Sequence, residues 1–285
     1  SNGYIISKAV EPYLPTYHHN LAITQEAEQQ GLDFVLSMMK YKGFGGDTGY
    51  WDACLESFTL MSALAAKTKT IGLIPTVTLL SQHPAYIARM VSTLDDISGG
   101  RCGLNIVTGW NKPEYEQMGL WRGDEYYDRR YEFAAEYVAI LQDLWREETC
   151  TRESEFFSLN NCSCLPMPGR EIPIVSAGQS PKGVNFVAQN AHQNFVMAHP
   201  EKLKDISDSV KQKGAALGRK VGTYALFNMI IGESDTEAWE FGQRVIAEAD
   251  TGAISNIITS ASMDSNEGGT ADHLQEALSQ DLEVG

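Results

Sequence analysis

The chain has 285 residues, of which 43% are hydrophobic, and carries a formal net charge of −15. This length suits one large α/β barrel or two modest domains, and no change in composition along residues 1–285 marks a domain boundary. No apolar run approaches the ~20 residues that a transmembrane helix needs, and the acidic balance excludes broad attraction to nucleic acid or anionic membranes. We therefore expect one soluble globular domain with a small-molecule partner.

Cysteine usage and the first residues indicate the cellular compartment. Five cysteines are few for this length and odd in number, which favours reduced thiols. Cys162 and Cys164 have no histidine nearby, so the sequence predicts no metal site. Residues 1–10 lack the basic start and apolar core of a secretory leader. These features together predict a cytoplasmic protein.

Predicted strands and helices alternate after a turn-rich start that extends to His19. The apolar periodicity predicts helices over residues 21–30, 51–67, 85–97, 128–145, 181–190 and 200–217, and Asp128 is a plausible N-cap of the fourth. Short apolar runs predict strands over residues 33–39, 70–79, 101–108, 172–177, 194–198 and 221–231. Residues 250–285 are polar and are predicted to form a loosely ordered insertion or tail.

This alternation requires a parallel sheet with right-handed crossovers, and the best architecture of that class is a (β/α)₈ TIM barrel. The sequence contains roughly six of the eight strands that such a barrel needs. We therefore expect an incomplete barrel, in which the first and last strands are not evident.

Polar side chains follow several of the predicted strands, where a barrel places its active site. Asn105 interrupts the apolar run at residues 102–107. A buried amide costs a few kcal/mol unless it finds partners, so Asn105 is either a structural amide that neighbouring backbone satisfies or a ligand contact. Met39 and Lys40 end an earlier predicted strand, Thr76 lies within the next, and Trp110 and Ser180 each follow a strand.

Thr76 follows a proline inside an apolar run. Proline cannot donate a hydrogen bond to a neighbouring strand, so Pro75 predicts a bulge or a strand end. The distortion is either a harmless kink or an opening that lets a ligand approach the backbone.

Two predicted helix starts could hold an anion. Arg129 and Arg130 lie where the helix dipole disfavours cations, so an anion is expected nearby. It is either a neighbouring carboxylate, of which Asp124 and Glu132 are examples, or a bound phosphate. Ser180 before Pro181 is an N-cap by default, and helix N-termini also bind phosphate.

Several segments resemble the flavin-dependent monooxygenases of the bacterial luciferase superfamily, and within it the pyrimidine monooxygenases. They are SMMKYKGFGG, LESFTLMSALAAKT, SGGR with VTGWNKPEYEQMGLW, and SAGQS. The likeness fades after about Glu233. Relative to this family, the sequence starts just after the first strand and stops before the last.

The resemblance implies FMN as cofactor, held by residues of which the last three lie near its phosphate: Met39, Lys40, Asn105, Glu114, Arg130, Tyr131 and Ser180. It also implies an oxygen pocket beside the flavin ring, made by Leu36, Thr76, Asn105 and Trp110. From the residues alone, Lys40 and Glu114 could equally face solvent.

The resemblance further implies that reduced FMN and O₂ form a flavin peroxide, which opens uracil or thymine between N3 and C4 to a ureidoacrylate-type product. No GxGxxG follows a predicted strand, so a separate NADH-dependent flavin reductase is an implied partner. A homodimer or homotetramer is expected. Three alternatives stay open: a related monooxygenase acting on a sulfone, chlorinated aromatic or amine, a non-catalytic flavin-binding protein, and a deazaflavin-using dehydrogenase.

Overall fold

The computed structural model describes residues 3–264, in which helices alternate with short strands. The helices are α1 Tyr17–Gln29, α2 Ser57–Ala65, α3 Pro84–Ser98, α4 Lys112–Glu116, α5 Asp124–Asp128, α6 Arg130–Arg146, α7 Pro181–Asn190, α8 Pro200–Ala216, α9 Asp235–Ala247 and α10 Thr251–Ala261. The strands are β1 Phe34–Leu36, β2 Gly72–Ile74, β3 Thr76–Thr78, β4 Leu104–Val107, β5 Thr149–Glu153, β6 Ser158–Ser163, β7 Ile174–Ala177, β8 Gln193–Val196 and β9 Gly222–Ala225. Every helix in this part of the chain is too short or too polar to cross a lipid bilayer.

The central strands are parallel, as the predicted α/β class requires. β1 pairs with β2, and the order β3-β4-β7-β8-β9 forms a second sheet. β2 and β3 flank Pro75 and form one interrupted strand, and a bridge from Leu73 to Cys102 links β2 to the segment before β4. Within residues 3–264 no hydrogen-bonded pairing joins β1 to β9, although the Phe34 and Tyr224 rings lie 4.7 Å apart. The sheet is therefore strongly curved, with six parallel strand positions, the number expected from the sequence.

The core lies between this sheet and the helices outside it. The apolar spacing of α6 buries one face of the helix, where Phe133, Tyr137, Leu141 and Leu144 are at most 1% exposed. α3 contributes a similar face, and the two helices pack against each other. This packing covers the outer surface of β4, whose Leu104 and Ile106 are fully buried.

Three predicted element boundaries are wrong, each for a local reason. Asp128 is not the N-cap of α6, because it ends the short helix α5 and Arg129 stands between the two helices. α2 begins at Ser57 rather than at residue 51, since the Glu56 carboxylate caps it by accepting from two first-turn N–H groups. The strand predicted over residues 221–231 ends at Ala225.

Sequence patterns did not predict the antiparallel hairpin β5–β6 or helix α9. The hairpin follows α6 and packs back against it. Its two strands are mostly exposed and polar, so they lack the apolar runs by which the central strands were recognised.

The loose order predicted for residues 250–285 is wrong for α10, and residues 265–285 lie outside the described part. Asp250 caps α10 by accepting from the Ala253 N–H at 3.0 Å. The same carboxylate accepts from the backbone N–H and the hydroxyl of Thr48, both at 2.8 Å. Asp250 therefore joins α10 to the glycine-containing loop that precedes α2. A side chain at Gly46, whose φ is +75°, would collide with this carboxylate.

We predict that Asp250→Ala lowers the free energy of unfolding by about 2–4 kcal/mol at pH 7, because three buried donors lose their acceptor. Burial raises the pKa of Asp250, but the hydrogen bonds from Ala253 and Thr48 outweigh it and the net shift is downward. A carboxyl group with a lowered pKa stabilises the folded state at pH values above its unfolded-state pKa of about 3.9. This contribution is lost as the pH falls through the folded-state pKa. Urea denaturation at several pH values should show the difference from wild type shrinking below about pH 4.

The exposed carboxylate of Asp47 in the same loop provides the control, because its ion pair with Lys8 is solvated. Asp47→Ala should leave the stability nearly unchanged. Equal losses in the two variants would show that the Asp250 contacts do not hold α10 in place.

Candidate active site

A cavity of about 340 Å³ opens at the carboxyl ends of the parallel strands. Its lining is mostly apolar and comes from strand ends and from the loops that follow them. Residues that line it include Leu36, Met38, Met39, Phe44, Thr76, Asn105, Val107, Trp110, Ala177, Phe195, Met197 and Leu226. The cavity therefore occupies the place where a parallel α/β fold binds its ligands.

The structure divides the predicted site residues into two groups. Seven line the cavity: Leu36, Met39, Lys40, Thr76, Asn105, Trp110 and Glu114. The other three do not line it: Arg130 and Tyr131 begin α6, and Ser180 is the N-cap of α7. Gln179 connects the groups, because it lines the cavity and directly precedes Ser180.

Thr76 and Asn105 lie opposite each other in the register of β3 and β4. The Asn105 Nδ2 donates to Thr76 Oγ1 at 2.9 Å, and the Thr76 hydroxyl donates to the Ser37 carbonyl. Asn105 Oδ1 is buried and has no partner within residues 3–264. The partner of this amide is therefore a side-chain hydroxyl and not neighbouring backbone, and the ligand contact stays a prediction for its Oδ1.

Pro75 ends the hydrogen-bonding pattern of this strand, as predicted. The Thr76 N–H after it donates to Ser57 Oγ at 2.7 Å instead of to a neighbouring strand. The Pro75 carbonyl still accepts from the Asn105 N–H at 2.8 Å. The interruption therefore turns the backbone without losing the pairing that places Asn105.

Lys40 and Glu114 form a buried ion pair in the cavity wall, so the solvent-facing alternative is wrong for both. Lys40 Nζ lies 2.6 Å from Glu114 Oε2, and the two side chains are 7% and 6% exposed. The other carboxylate oxygen accepts from the Tyr41 N–H at 2.7 Å. Burial lowers the pKa of Lys40, and the adjacent Glu114 charge opposes that shift. The ammonium also lies 4.8 Å from the Phe44 ring centre and 5.7 Å from that of Trp110.

Aromatic rings close one side of the cavity. The Phe44 ring is stacked at 6.4 Å on Trp110, and Tyr50 is stacked at 4.8 Å on Trp51. Ala253 and Ile257 of α10 pack against this aromatic cluster and hold it in place. Trp51 has a left-handed backbone with φ of 61°, and its indole N–H donates to the Gly3 carbonyl.

Arg130 carries a buried charge for which the described residues provide no carboxylate within ion-pair distance. It is 4% exposed, its guanidinium lies 3.8 Å from the Tyr127 ring centre and 4.9 Å from that of Tyr131, and it donates to the Tyr127 carbonyl. Arg129, in contrast, pairs at the surface with Glu132 and with Glu155. The expected carboxylate pairing therefore holds for Arg129 only. A buried cation without a counter-charge is costly, so this position is suited to an anion.

The start of α7 adds further donors next to Tyr131, whose ring the Arg130 guanidinium contacts. Ser180 is the N-cap and accepts from the Gly183 N–H at 3.1 Å. A Cβ on Gly183 would lie 2.8 Å from the Tyr131 hydroxyl and 3.2 Å from Ser180 Oγ, so the three residues are in close contact. Gly178 is equally constrained, since its Cβ would meet the Gly183 carbonyl at 2.5 Å. A guanidinium, two hydroxyls and a helix N-terminus here form a donor set that suits a phosphate.

Sequence patterns missed several residues that line the cavity. Asn111 and Gln179 belong to the segments WNKP and SAGQS, which were recognised as motifs, but neither was singled out. Tyr4, Ile6 and Ile257 come from the two ends of the described chain, and no local pattern connects them to the strand ends.

Comparisons with known proteins agree with this architecture. The family model described as luciferase-like monooxygenase matches residues 4–283. Pyrimidine monooxygenase RutA of Cronobacter turicensis is 44% identical over 272 residues, which cover 94% of this chain and 72% of that protein. The RutA of Escherichia coli O7:K1 is 43% identical over 94% of this chain and 82% of its own length.

Two solved structures show the same fold at 20% identity. Riboflavin lyase RcaE, with modified FMN and riboflavin, superposes with a TM-score of 0.80 over 93% of this chain and 72% of its own. Long-chain alkane monooxygenase LadA does so with a TM-score of 0.78 over 93% and 70%. The family match over nearly the whole chain and the identity above 40% to curated relatives establish that this chain belongs to the luciferase-like monooxygenase family, a family of flavin-dependent enzymes.

Proposed function

We propose that the protein is an FMN-dependent monooxygenase that uses reduced FMN and O₂ to open the ring of uracil or thymine to a ureidoacrylate-type product. The observation that carries this proposal is the buried Arg130 guanidinium, which has no carboxylate partner within residues 3–264 and contacts the ring of Tyr131. The Tyr131 hydroxyl lies beside the α7 N-cap Ser180, which directly follows the cavity residue Gln179. The substrate class is supported by relatives that are named pyrimidine monooxygenases.

The residues present fit FMN in two parts. Arg130, Tyr131 and Ser180 would hold the phosphate, for which the described part of the chain offers Arg130 no competing carboxylate. The mostly apolar cavity would hold the ring system, with Met39, Lys40, Asn105 and Glu114 at its polar wall. When bound, reduced FMN supplies the electrons that activate dioxygen.

The protein's contribution is orientation, exclusion of water and a fixed charge. Leu36 and Trp110 provide apolar surface for the proposed oxygen pocket, together with Thr76 and Asn105. The Thr76 hydroxyl donates its proton to the Ser37 carbonyl and accepts from the Asn105 Nδ2. Thr76 thereby orients the Asn105 amide so that its Oδ1 is the free acceptor. The Lys40 ammonium, held by Glu114, places positive charge at the cavity wall, where negative charge on a carbonyl or oxygen would be stabilised.

The remaining partners follow from the same proposal. Reduced FMN would come from a separate NADH-dependent flavin reductase, because no GxGxxG follows a strand in this sequence. The homodimer or homotetramer stays a prediction that analytical ultracentrifugation would test. The cytoplasmic location stays a prediction that cell fractionation would test.

The direct test is to mix the purified protein with reduced FMN, oxygen and uracil and to analyse the products by mass spectrometry. We expect a ring-opened product that incorporates one atom of labelled oxygen. Reactions without protein, and reactions with dimethyl sulfone in place of uracil, serve as controls. Turnover of the sulfone without any product from uracil would contradict the proposed substrate class.

Asn105→Ala should abolish product formation and weaken FMN binding by less than about tenfold, since one neutral hydrogen bond contributes roughly 0.5–1.5 kcal/mol. Flavin fluorescence gives the affinity, and the product assay gives the activity. Asn185→Ala is the matched control, because Asn185 is exposed on α7 and contacts Lys213. Full activity in Asn105→Ala would remove Asn105 from the site.

Arg130→Gln should weaken FMN binding by about 10- to 100-fold, because hydrogen bonds to charged groups contribute roughly 1.5–3 kcal/mol. Riboflavin has no phosphate, so its affinity should change little. The comparison of the two flavins by fluorescence titration therefore isolates the phosphate contact. Arg129→Gln is the control at the adjacent position and should affect neither flavin. Equal weakening of both flavins by Arg130→Gln would contradict a phosphate site.

A further inference from the structure

We propose that Asn111 and Gln179, together with Asn105, recognise a pyrimidinedione ring in the cavity by hydrogen bonds to its N–H and carbonyl groups. This inference rests on the proposed function and deepens it, since it names the residues that would select the ligand's ring. All three amides line the same cavity, and each has one buried atom without a partner within residues 3–264.

The orientation of the Asn105 amide is fixed by its surroundings. The Ser37 carbonyl can only accept, so the Thr76 hydroxyl must donate to it. Thr76 Oγ1 is then an acceptor for Asn105, whose Nδ2 donates to it at 2.9 Å. The unpaired atom of Asn105 is therefore Oδ1, an acceptor.

The Gln179 amide is fixed in the opposite sense. The Met197 backbone N–H can only donate, and it does so to Gln179 Oε1 at 3.0 Å. The unpaired atom of Gln179 is therefore Nε2, a donor. Gln179 lies two residues beyond the end of β7, next to the strand that carries Asn105.

Asn111 presents a second acceptor. Its Nδ2 faces Glu114 Oε2 at 3.5 Å, and this oxygen already accepts from the Lys40 ammonium, which can only donate. Its Oδ1 remains unpaired, and the residue is 3% exposed. Glu114 thus orients both Lys40 and Asn111.

Two buried acceptors and one buried donor define the ligand chemistry. An unsatisfied buried polar atom is unfavourable, so a ligand that completes all three hydrogen bonds is selected over one that does not. The complementary ligand carries N–H donors and a carbonyl acceptor in one ring. A pyrimidinedione has both, whereas a sulfone has acceptors only and a chlorinated aromatic has neither. The amide set therefore favours the pyrimidine substrate class over those alternatives.

The same chemistry occurs in two ligands of the proposed reaction. Uracil is a pyrimidinedione, and the isoalloxazine ring of FMN contains one. The test therefore measures both affinities for each variant. Calorimetry with FMN-loaded protein gives the affinity for uracil and for 3-methyluracil, and fluorescence titration gives the affinities for FMN and riboflavin. Neither measurement depends on turnover.

Two variants remove the free atoms with little change in shape. Gln179→Glu keeps the acceptor for the Met197 N–H and replaces the free donor by an oxygen. Asn111→Leu removes the free acceptor. The matched control is Gln82→Glu, because Gln82 also has a buried unpaired Oε1 but does not line the cavity.

We expect each site variant to weaken binding of one pyrimidinedione by about tenfold or more, the effect of roughly 1.4 kcal/mol. If both variants bind uracil more weakly, and Asn111→Leu no longer discriminates against 3-methyluracil, the substrate is the partner of the amides. Equal weakening of FMN and riboflavin, with uracil unchanged, identifies the flavin ring instead. Unchanged affinities for all four ligands in both variants overturn the proposal. If either variant fails to fold, as judged by circular dichroism, the other decides the question alone.

This design separates the two proposals. Wild-type protein that binds uracil or FMN through the amides but forms no ring-opened product would refute the proposed function and keep the recognition site. Ring opening by the wild-type protein, together with unchanged ligand affinities in the Gln179 and Asn111 variants, would support the proposed function and refute the recognition site.

Discussion

The pairing of β3 with β4, which places Thr76 opposite Asn105, fixes the polar interior of the cavity. A parallel register brings the ends of neighbouring strands to one edge, so the Ser37 carbonyl, the Thr76 hydroxyl and the Asn105 amide form one directed chain of hydrogen bonds. The Ser37 carbonyl at its end can only accept, which sets the direction of the other two bonds. This direction decides that the unpaired atom of Asn105, which lines the cavity, is its oxygen.

Lys40 and Arg130 are both buried cations, and their surroundings differ. Lys40 has its counter-charge in Glu114, so the pair stays in the wall as a fixed dipole whether or not a ligand is bound. Arg130 has aromatic rings and a carbonyl around it, with no carboxylate at ion-pair distance in the described part of the chain. In the proposed function, the first arrangement polarises a ligand and the second binds its phosphate. A site for a phosphorylated ring system uses both.

The cavity also depends on contacts from distant parts of the chain. Helix α10 supports the aromatic cluster of Phe44, Tyr50, Trp51 and Trp110. Asp250 anchors the loop that carries the first three of these rings, because its carboxylate satisfies donors of Thr48 and of α10 at once. The stability of this side of the cavity is therefore coupled to a carboxylate far away in the sequence. Precise ring placement requires such support, since aromatic side chains on loops have few constraints of their own.

The sequence by itself determined the α/β class, six parallel strand positions, the strand end at Pro75 and a set of site candidates, because apolar periodicity and proline chemistry are local properties. It also placed Thr76 and Asn105 in successive predicted strands and Trp110 just after the second, and a parallel fold brings such positions together. Only the tertiary structure decided that Arg129 pairs with carboxylates while Arg130 has none at ion-pair distance among residues 3–264. It also decided that Lys40 and Glu114 are buried together, and that Asn111 and Gln179 line the same cavity. It likewise decided the helical state of residues 251–261. These outcomes depend on burial and on partners distant in sequence, and no local pattern records either.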